Sequence, residues 1–256
     1  HLVTDTNLTF LGNVYLGHLN DTCDVKVFEY LDCRIYAVQD ASNRFPATLF
    51  TSVDPGERFV QTARDYTGSV NVFIIELKAD KKRVMIDAGF GAPRGNLLTE
   101  MKKANITPES ISDILITHIH PVRVGGLPDF PKAKIHIARE EYEAWEKDPS
   151  RKQLNRFLPN KNSLLLFEYN TEVVSNLKAI KVAGHTPGHT VFQMGKRYFV
   201  GDIIHAADLQ IAHPSFCPRY DMNPQEASDS RKKALRNFHG EWFGAHITHP
   251  GRYLNP

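Results

Sequence analysis

Two apolar runs, VNVFIIEL (70–77) and RVMIDAGFG (83–91), flank a polar turn around Asp80 and Lys81, a pattern that predicts a β-hairpin. Upstream, CDVKVFEY and CRIYAV alternate like strands of a meander, and the turn-rich DPGER follows. NLLTEMKKANI has apolar residues at helical spacing, and TPES restarts a short helix with Thr107 as cap and Pro108 at its first position. DILIT reads as a short buried strand that delivers His118 and His120 at its carboxyl end. The second half repeats the alternation. AKIHIA is a strand, REEYEAWEKD a helix, LKAIKVAG a strand ending at His185, and TVFQMGKRYFVGD a hairpin turning at Gly195 with Asp202 at its end. NPQEASDSRKKALRNFHG is a helix opened by Asn223 and Pro224 and closed near Gly240, and EWFGAHIT is a last strand carrying His246. Strands and helices thus alternate in two halves, with ligand-type residues at strand ends, where α/β and layered folds build sites.

Composition narrows the classes. The 256 residues suffice for one large domain or two small ones, with 41% hydrophobic and 23% charged residues, as in ordinary globular enzymes. A net charge of +2 gives no pull toward nucleic acid or membrane, and no apolar run reaches spanning length. Cys23, Cys33 and Cys217 form no CxxC pair, which argues against a finger-type zinc site. Cys23 and Cys33 are a candidate bridge if the protein is exported, with buried or edge thiols as the alternative. Together with a chain that starts at His1, they favour a periplasmic or secreted protein, with a cytoplasmic one as the alternative.

The histidines carry the chemistry. His118 and His120 are two apart, so an extended segment projects both from one side. His185 lies within GHTPGHT and Asp202 within VGD, each after a separate strand. A lone histidine is more often a surface or core residue, and a lone GD a turn. Three imidazoles and a carboxylate at strand ends instead suit zinc or a similar divalent ion, with one position left for water. Other features read as structure: Tyr142 and Trp145 as packing, Lys102–Lys103 and Arg231–Lys233 as solvated helix faces, His213 and His249 as loop residues. Phe45, Phe50, Phe59 and Tyr66 are packing or, alternatively, the wall of an apolar pocket.

The order THIHPVRVGGL, AGHTPGHT, GD and GAHITHPG resembles the metallo-β-lactamase superfamily, whose signature loop is HxHxDH. The stretch from GDIIHAADLQIAHPS through SRKKAL to GAHITHPG is similar to the branch of methyl parathion hydrolase and lactonase-like enzymes. The likeness runs from about Asn71 to about Gly251. It implies an α/β fold, an αββα four-layer sandwich spanning 1–256, with 1–60 as an N-terminal extension or meander packed on it. It also implies that His118, His120 and His185 form a first metal site, that Asp202 bridges two metals, and that His246 completes the second site. Asp87 matches an aspartate that supports the ligand loop. His189 takes a support or packing position, and His205 lies near the pocket floor.

This chain departs from the pattern at the second site, where the signature Asp and His are Val122 and Arg123. Valine has no donor atom and arginine stays protonated. Asp202 and His246 alone are too few for a second ion, which a nearby guanidinium also repels. Arg123 either fills the vacated space and pairs with Asp202, or swings to solvent. The expected activity is a metal-dependent hydrolase of a small-molecule ester, lactone or phosphotriester, using a single zinc-bound water. Its candidate metal ligands are His118, His120, His185, Asp202 and His246, and its candidate catalytic residues Asp202, Arg123 and His246. The alternative is a silent relative kept for ligand binding or assembly. A homodimer through the N-terminal region stays open.

Overall fold

The computed structural model describes residues 24–57, 64–159 and 163–256, together with the backbone of two strands near the start. In chain order the strands of the first half are β1 (Val3–Thr4), β2 (Tyr15–His18), β3 (Val25–Glu29), β4 (Cys33–Phe45), β5 (Phe50–Ser52), β6 (Tyr66–Leu77), β7 (Arg83–Ile86), β8 (Ile111–Leu115) and β9 (Lys134–Ala138). Those of the second half are β10 (Leu164–Phe167), β11 (Glu172–Val174), β12 (Leu177–Lys181), β13 (Thr190–Met194), β14 (Arg197–Gly201), β15 (Phe216–Pro218), β16 (Gly240–Gly244) and β17 (Arg252–Asn255). The α-helices are α1 (Leu97–Lys103), α2 (Pro121–Val124), α3 (Arg139–Lys147), α4 (Ala207–Gln210) and α5 (Pro224–Asn237).

A nine-stranded sheet has the order β1-β2-β3-β4-β6-β7-β8-β9-β10, and a six-stranded sheet the order β11-β12-β13-β14-β16-β17. The predicted hairpin is β6–β7, paired from Phe73↔Ile86 to Glu76↔Arg83. The strand β4, from the expected meander, pairs with β6 from Cys33↔Leu77 to Phe45↔Tyr66. Residues of the first 60 are therefore built into the large sheet.

Strand parity explains the layers. Along β6, Phe73, Ile75 and Leu77 face the second sheet, where they meet Leu177, Ala179, Phe192, Phe199 and Phe243. Val72 and Ile74 face outward and pack under α1 and α3 with Met101, Tyr142 and Trp145. The outer face of the second sheet, with Val191, Tyr198, Val200 and Trp242, packs against Ala234 of α5. A strand covered on both faces shows a continuous apolar run, as 70–77 does. The result is the expected αββα sandwich.

Several local expectations need correction. TPES gives a single 3-10 turn, Pro108–Ser110, and the Thr107 side chain makes no capping hydrogen bond. The strand predicted over 241–248 stops at Gly244, so His246 stands in a loop. The Arg231 side chain is buried, not solvated, because Ala227 and Ala234 one turn either side turn that face of α5 inward. Asn223 does cap α5, accepting the Glu226 N–H. Cys33 is a free, buried thiol, while Cys23 and Phe59 lie outside the described residues. No helix among the described residues is long and apolar enough to cross a membrane.

Candidate functional site

Strand ends of both sheets deliver the polar residues to one rim of the sandwich. β7 ends one residue before Asp87, β8 leads into Thr117–His120, and Pro121 opens α2, which carries Arg123. β12 leads to His185, β14 ends one residue before Asp202, and β16 ends two before His246. At Gly201 the backbone is left-handed (φ +57°), and a Cβ there would lie 2.5 Å from His189 Nε2, so glycine is required for Asp202 to enter the site.

Ligand-type nitrogens of His118, His120 and His185 lie within 4.8 Å of one another, as do donor atoms of His185, Asp202 and His205. Hydrogen bonds fix which atoms point inward. The Thr117 hydroxyl donates to Asp87 Oδ2 at 2.8 Å and lies 2.9 Å from His118 Nδ1, which makes Nδ1–H the donor and leaves Nε2 as a lone pair. His118 Nε2 is buried, has no hydrogen-bond partner among the described residues and sits 3.3 Å from Asp202 Oδ2. His185 Nδ1 bonds Asp221 Oδ1 at 2.7 Å, which turns Nε2 toward His120 Nδ1 at 3.1 Å and Asp202 Oδ2 at 3.2 Å. The lone pairs of His118 Nε2 and His185 Nε2 thus face an oxygen of Asp202, an arrangement that a shared cation would relieve. This donor set therefore fits a divalent ion: three imidazoles, an adjacent carboxylate and an orphaned nitrogen aimed inward.

Electrostatics agree with that fit. Burial lowers His118 and His120 well below the usual imidazole range, so they present lone pairs. Burial also acts on His185, but hydrogen bonds to Asp202 and Asp221 outweigh it and raise its pKa to about 9. Burial pushes Asp87 up to about 7 against the pull of Arg123 and Thr117. Asp202 is likewise desolvated, yet the Arg123 guanidinium holds it well below the usual carboxylate range.

The other side of Asp202 is filled by Arg123. The side chain is fully buried, with Nη2 3.0 Å from Asp202 Oδ1 and 3.2 Å from His246 Nε2. Of the two placements open from sequence, the structure has the paired one. His246 Nδ1 lies 2.9 Å from the Ser69 carbonyl, to which it donates, so its Nε2 accepts from the guanidinium. His189 supports rather than ligates: its Nε2 accepts the Asp202 N–H at 3.0 Å. Burial lowers the His189 pKa to about 3. His205 is buried, its ring nitrogens have no hydrogen-bond partner among the described residues, and it stacks on His246 with centroids 4.8 Å apart.

These groups open onto a cavity of about 430 Å³, whose wall includes His120, His185, Asp202, His205, His246, Phe45, Phe90 and Tyr220. Phe45 meets His246 edge-on at 5.4 Å, while Phe50 and Tyr66 pack behind it in a buried cluster. His213 pairs with Glu57 at 3.0 Å and His249 with Asn71 at 3.0 Å, both away from the donors.

Sequence reasoning missed the supports. Asp221 orients His185 and receives Arg231 Nη2 at 3.3 Å, and Arg231 also donates to the Ile203 and Pro214 carbonyls. Asn71 donates to the Gly244 and Ile247 carbonyls and so holds the loop of His246. Glu141, fully buried on α3, accepts the Ile119 N–H between the first two histidines. For Arg231 and Glu141 a signal existed, a charged residue at helical spacing with buried apolar neighbours. Asp221 lies in a turn with no pattern of its own.

Comparison with known proteins completes the picture. The family description of the metallo-β-lactamase superfamily matches residues 65–242. An N-acyl homoserine lactonase of Bacillus cereus is 33% identical over 94 residues, 36% of this chain and 36% of that protein. A second N-acyl homoserine lactonase, of a Bacillus species, is 34% identical over 90 residues, 35% of each chain. The chain thus aligns with about a third of the length of these relatives. Among solved structures, AidC, a dizinc quorum-quenching lactonase with a product bound, superposes with a TM-score of 0.77 at 22% identity, covering 92% of this chain and 94% of that one. The hydrolase AbOPH of the β-lactamase superfamily superposes with a TM-score of 0.74 at 24% identity, covering 96% and 94%. At these identities the likenesses establish the fold. Since the family match spans more than half of its length, this chain belongs to the metallo-β-lactamase superfamily.

Proposed function

We propose that the chain is a metal-dependent hydrolase of a small lactone or ester, with phosphotriesters in the same reach, working with one divalent ion, zinc by preference, at His118, His120 and His185. The observation that carries this reading is the convergence of those three imidazoles within 4.8 Å beside Asp202, while a guanidinium already stands on the far carboxylate oxygen at 3.0 Å. The lactonase names of the partial relatives favour lactones within the ester class. The branch resemblance around GDIIHAADLQIAHPS keeps phosphotriesters in view.

His118, His120 and His185 would hold a divalent ion, which would supply Lewis acidity to an acyl or phosphoryl oxygen and to water. The protein residues do the rest. Asp202, kept ionised by Arg123, orients a water in the cavity by accepting its hydrogen bond. His246, a cavity-wall residue with its ring fixed by the Ser69 carbonyl, faces the reacting group from the other side. Arg123 is fully buried, so it acts by fixing Asp202 rather than by touching substrate. Phe45, Phe90 and Tyr220 wall the cavity and receive the apolar part of the substrate.

The test is elemental analysis of protein purified without chelator, paired with a hydrolysis panel of lactones, aryl esters and phosphotriesters. One equivalent of metal with turnover lost in His118→Ala is expected. Two equivalents, or turnover unchanged in that variant, would overturn the reading. One equivalent with no turnover on any class would favour the silent ligand-binding alternative, which the arginine in the second subsite also supports.

A further inference from the structure

α3 packs its apolar face, Tyr142 and Trp145, into the sandwich, and the same face carries the fully buried Glu141. The two carboxylate oxygens reach two different ligand loops. Oε2 accepts the Ile119 N–H at 2.7 Å, between His118 and His120. Oε1 accepts the Gly188 N–H at 2.9 Å, in the loop between His185 and His189. Arg151 closes the arrangement, donating from Nη2 to Glu141 Oε2 and to the Ile119 carbonyl, each at 2.8 Å. Trp145 in turn donates to the Arg151 carbonyl at 3.1 Å. Gly188 presses so close to α3 that a Cβ there would lie 2.4 Å from the Glu141 amide nitrogen. One further joint, Thr190 N–H to the Thr117 carbonyl at 2.9 Å, ties the same two loops on the strand side of the histidines.

We propose that Glu141, with Arg151, is a positioning residue for the metal centre: one carboxylate locks the His118–His120 loop to the His185–His189 loop, so that their imidazoles converge before an ion arrives. The inference rests on the reading that these histidines hold an ion. A carboxylate suits the task because it only accepts, so both amide N–H groups must point to it, and charge-assisted bonds of this kind are short and strong. Glutamine offers one acceptor and one donor, so one loop would face an NH2 group and come free. Holding ligands in place through their supports is how metal sites gain affinity without new ligands.

The test measures Co2+ affinity and the visible absorption of the Co2+ protein, in the full chain, for four proteins. These are the wild type, Glu141→Gln, the double variant Glu141→Gln/Arg151→Met, which leaves no unpaired buried cation, and Ile35→Ala, a destabilised control in the sheet interface. Both Glu141 variants should bind cobalt about tenfold to a hundredfold more weakly, with shifted bands. The control should lose melting temperature and keep wild-type affinity and spectrum. Unchanged affinity and bands in the double variant would overturn the proposal, as would a loss that Ile35→Ala matches. Hydrogen exchange separates this outcome from failure of the metal reading itself. Should the wild type take up no cobalt, that reading falls; faster exchange at the Ile119 and Gly188 amides in the Glu141 variants alone would still uphold the clamp, and unaltered exchange would end it.

Discussion

The two oxygens of Asp202 face opposite kinds of neighbour. Oδ2 looks onto His118 Nε2 at 3.3 Å, His185 Nε2 at 3.2 Å and His246 Nε2 at 3.1 Å, a side rich in imidazole lone pairs. Oδ1 looks onto Arg123 Nη2 at 3.0 Å, a side already supplied with a cation. One carboxylate thus faces two seats, one of donor atoms that fit an ion and one filled by a side chain. The guanidinium balances charge, but it carries one unit rather than two, presents no open coordination position and cannot deprotonate water. The second seat therefore keeps the carboxylate ionised and oriented while giving up Lewis acidity. Under the proposed one-ion reading, chemistry and charge balance are divided between the two sides.

Four measurements would break or sharpen that division. His118→Ala removes a ligand from the lone-pair side, and it should abolish stoichiometric metal uptake and reduce turnover by more than the roughly hundredfold typical of outer supports. Retained metal by elemental analysis would show that the two sides are not distinct. Val122→Asp combined with Arg123→His replaces the fixed cation by donors. Metal content should rise from one equivalent to two; a content still at one would mean that more than these two residues closes the seat. Arg123→Met strands Asp202 without its cation. Metal-free protein should lose about 3–5 kcal/mol in denaturant unfolding, the usual cost of breaking a buried ion pair from one side. A loss under about 1 kcal/mol would demote the pair to a surface-like contact. Asp221→Asn weakens the hold on His185 Nδ1 and should reduce metal affinity by about tenfold to a hundredfold, with little change in melting temperature. An effect confined to melting temperature would make Asp221 part of the scaffold only.

Much of the layer plan was visible in one dimension, because burial imposes a period. The apolar runs 70–77 and 83–91 announced the β6–β7 hairpin, and the helical spacing of Tyr142 and Trp145 announced the packed face of α3. The pair His118 and His120 was visible because two residues apart on extended chain means one side. The misreadings came where a local rule met a distant partner. EWFGAHIT was read as strand to its end, but pairing with β17 runs only from Gly240↔Asn255 to Phe243↔Arg252, and Asn71 pulls the following carbonyls away. Arg231 was read as solvated because lysines follow it, yet its guanidinium finds carbonyls of Ile203, Pro214 and Phe216 below α5.

Residue order alone determined which donors exist, that the second signature position lacks them, and which strand ends would present them, since these follow from side-chain chemistry and short-range periodicity. Tertiary structure decided that Arg123 meets Asp202, that Asp221 meets His185, and that Glu141 joins two ligand loops. Each of those contacts closes a long stretch of chain inside a low-dielectric interior. Its direction depends on how both sheets and their covering helices pack, and no local pattern records that.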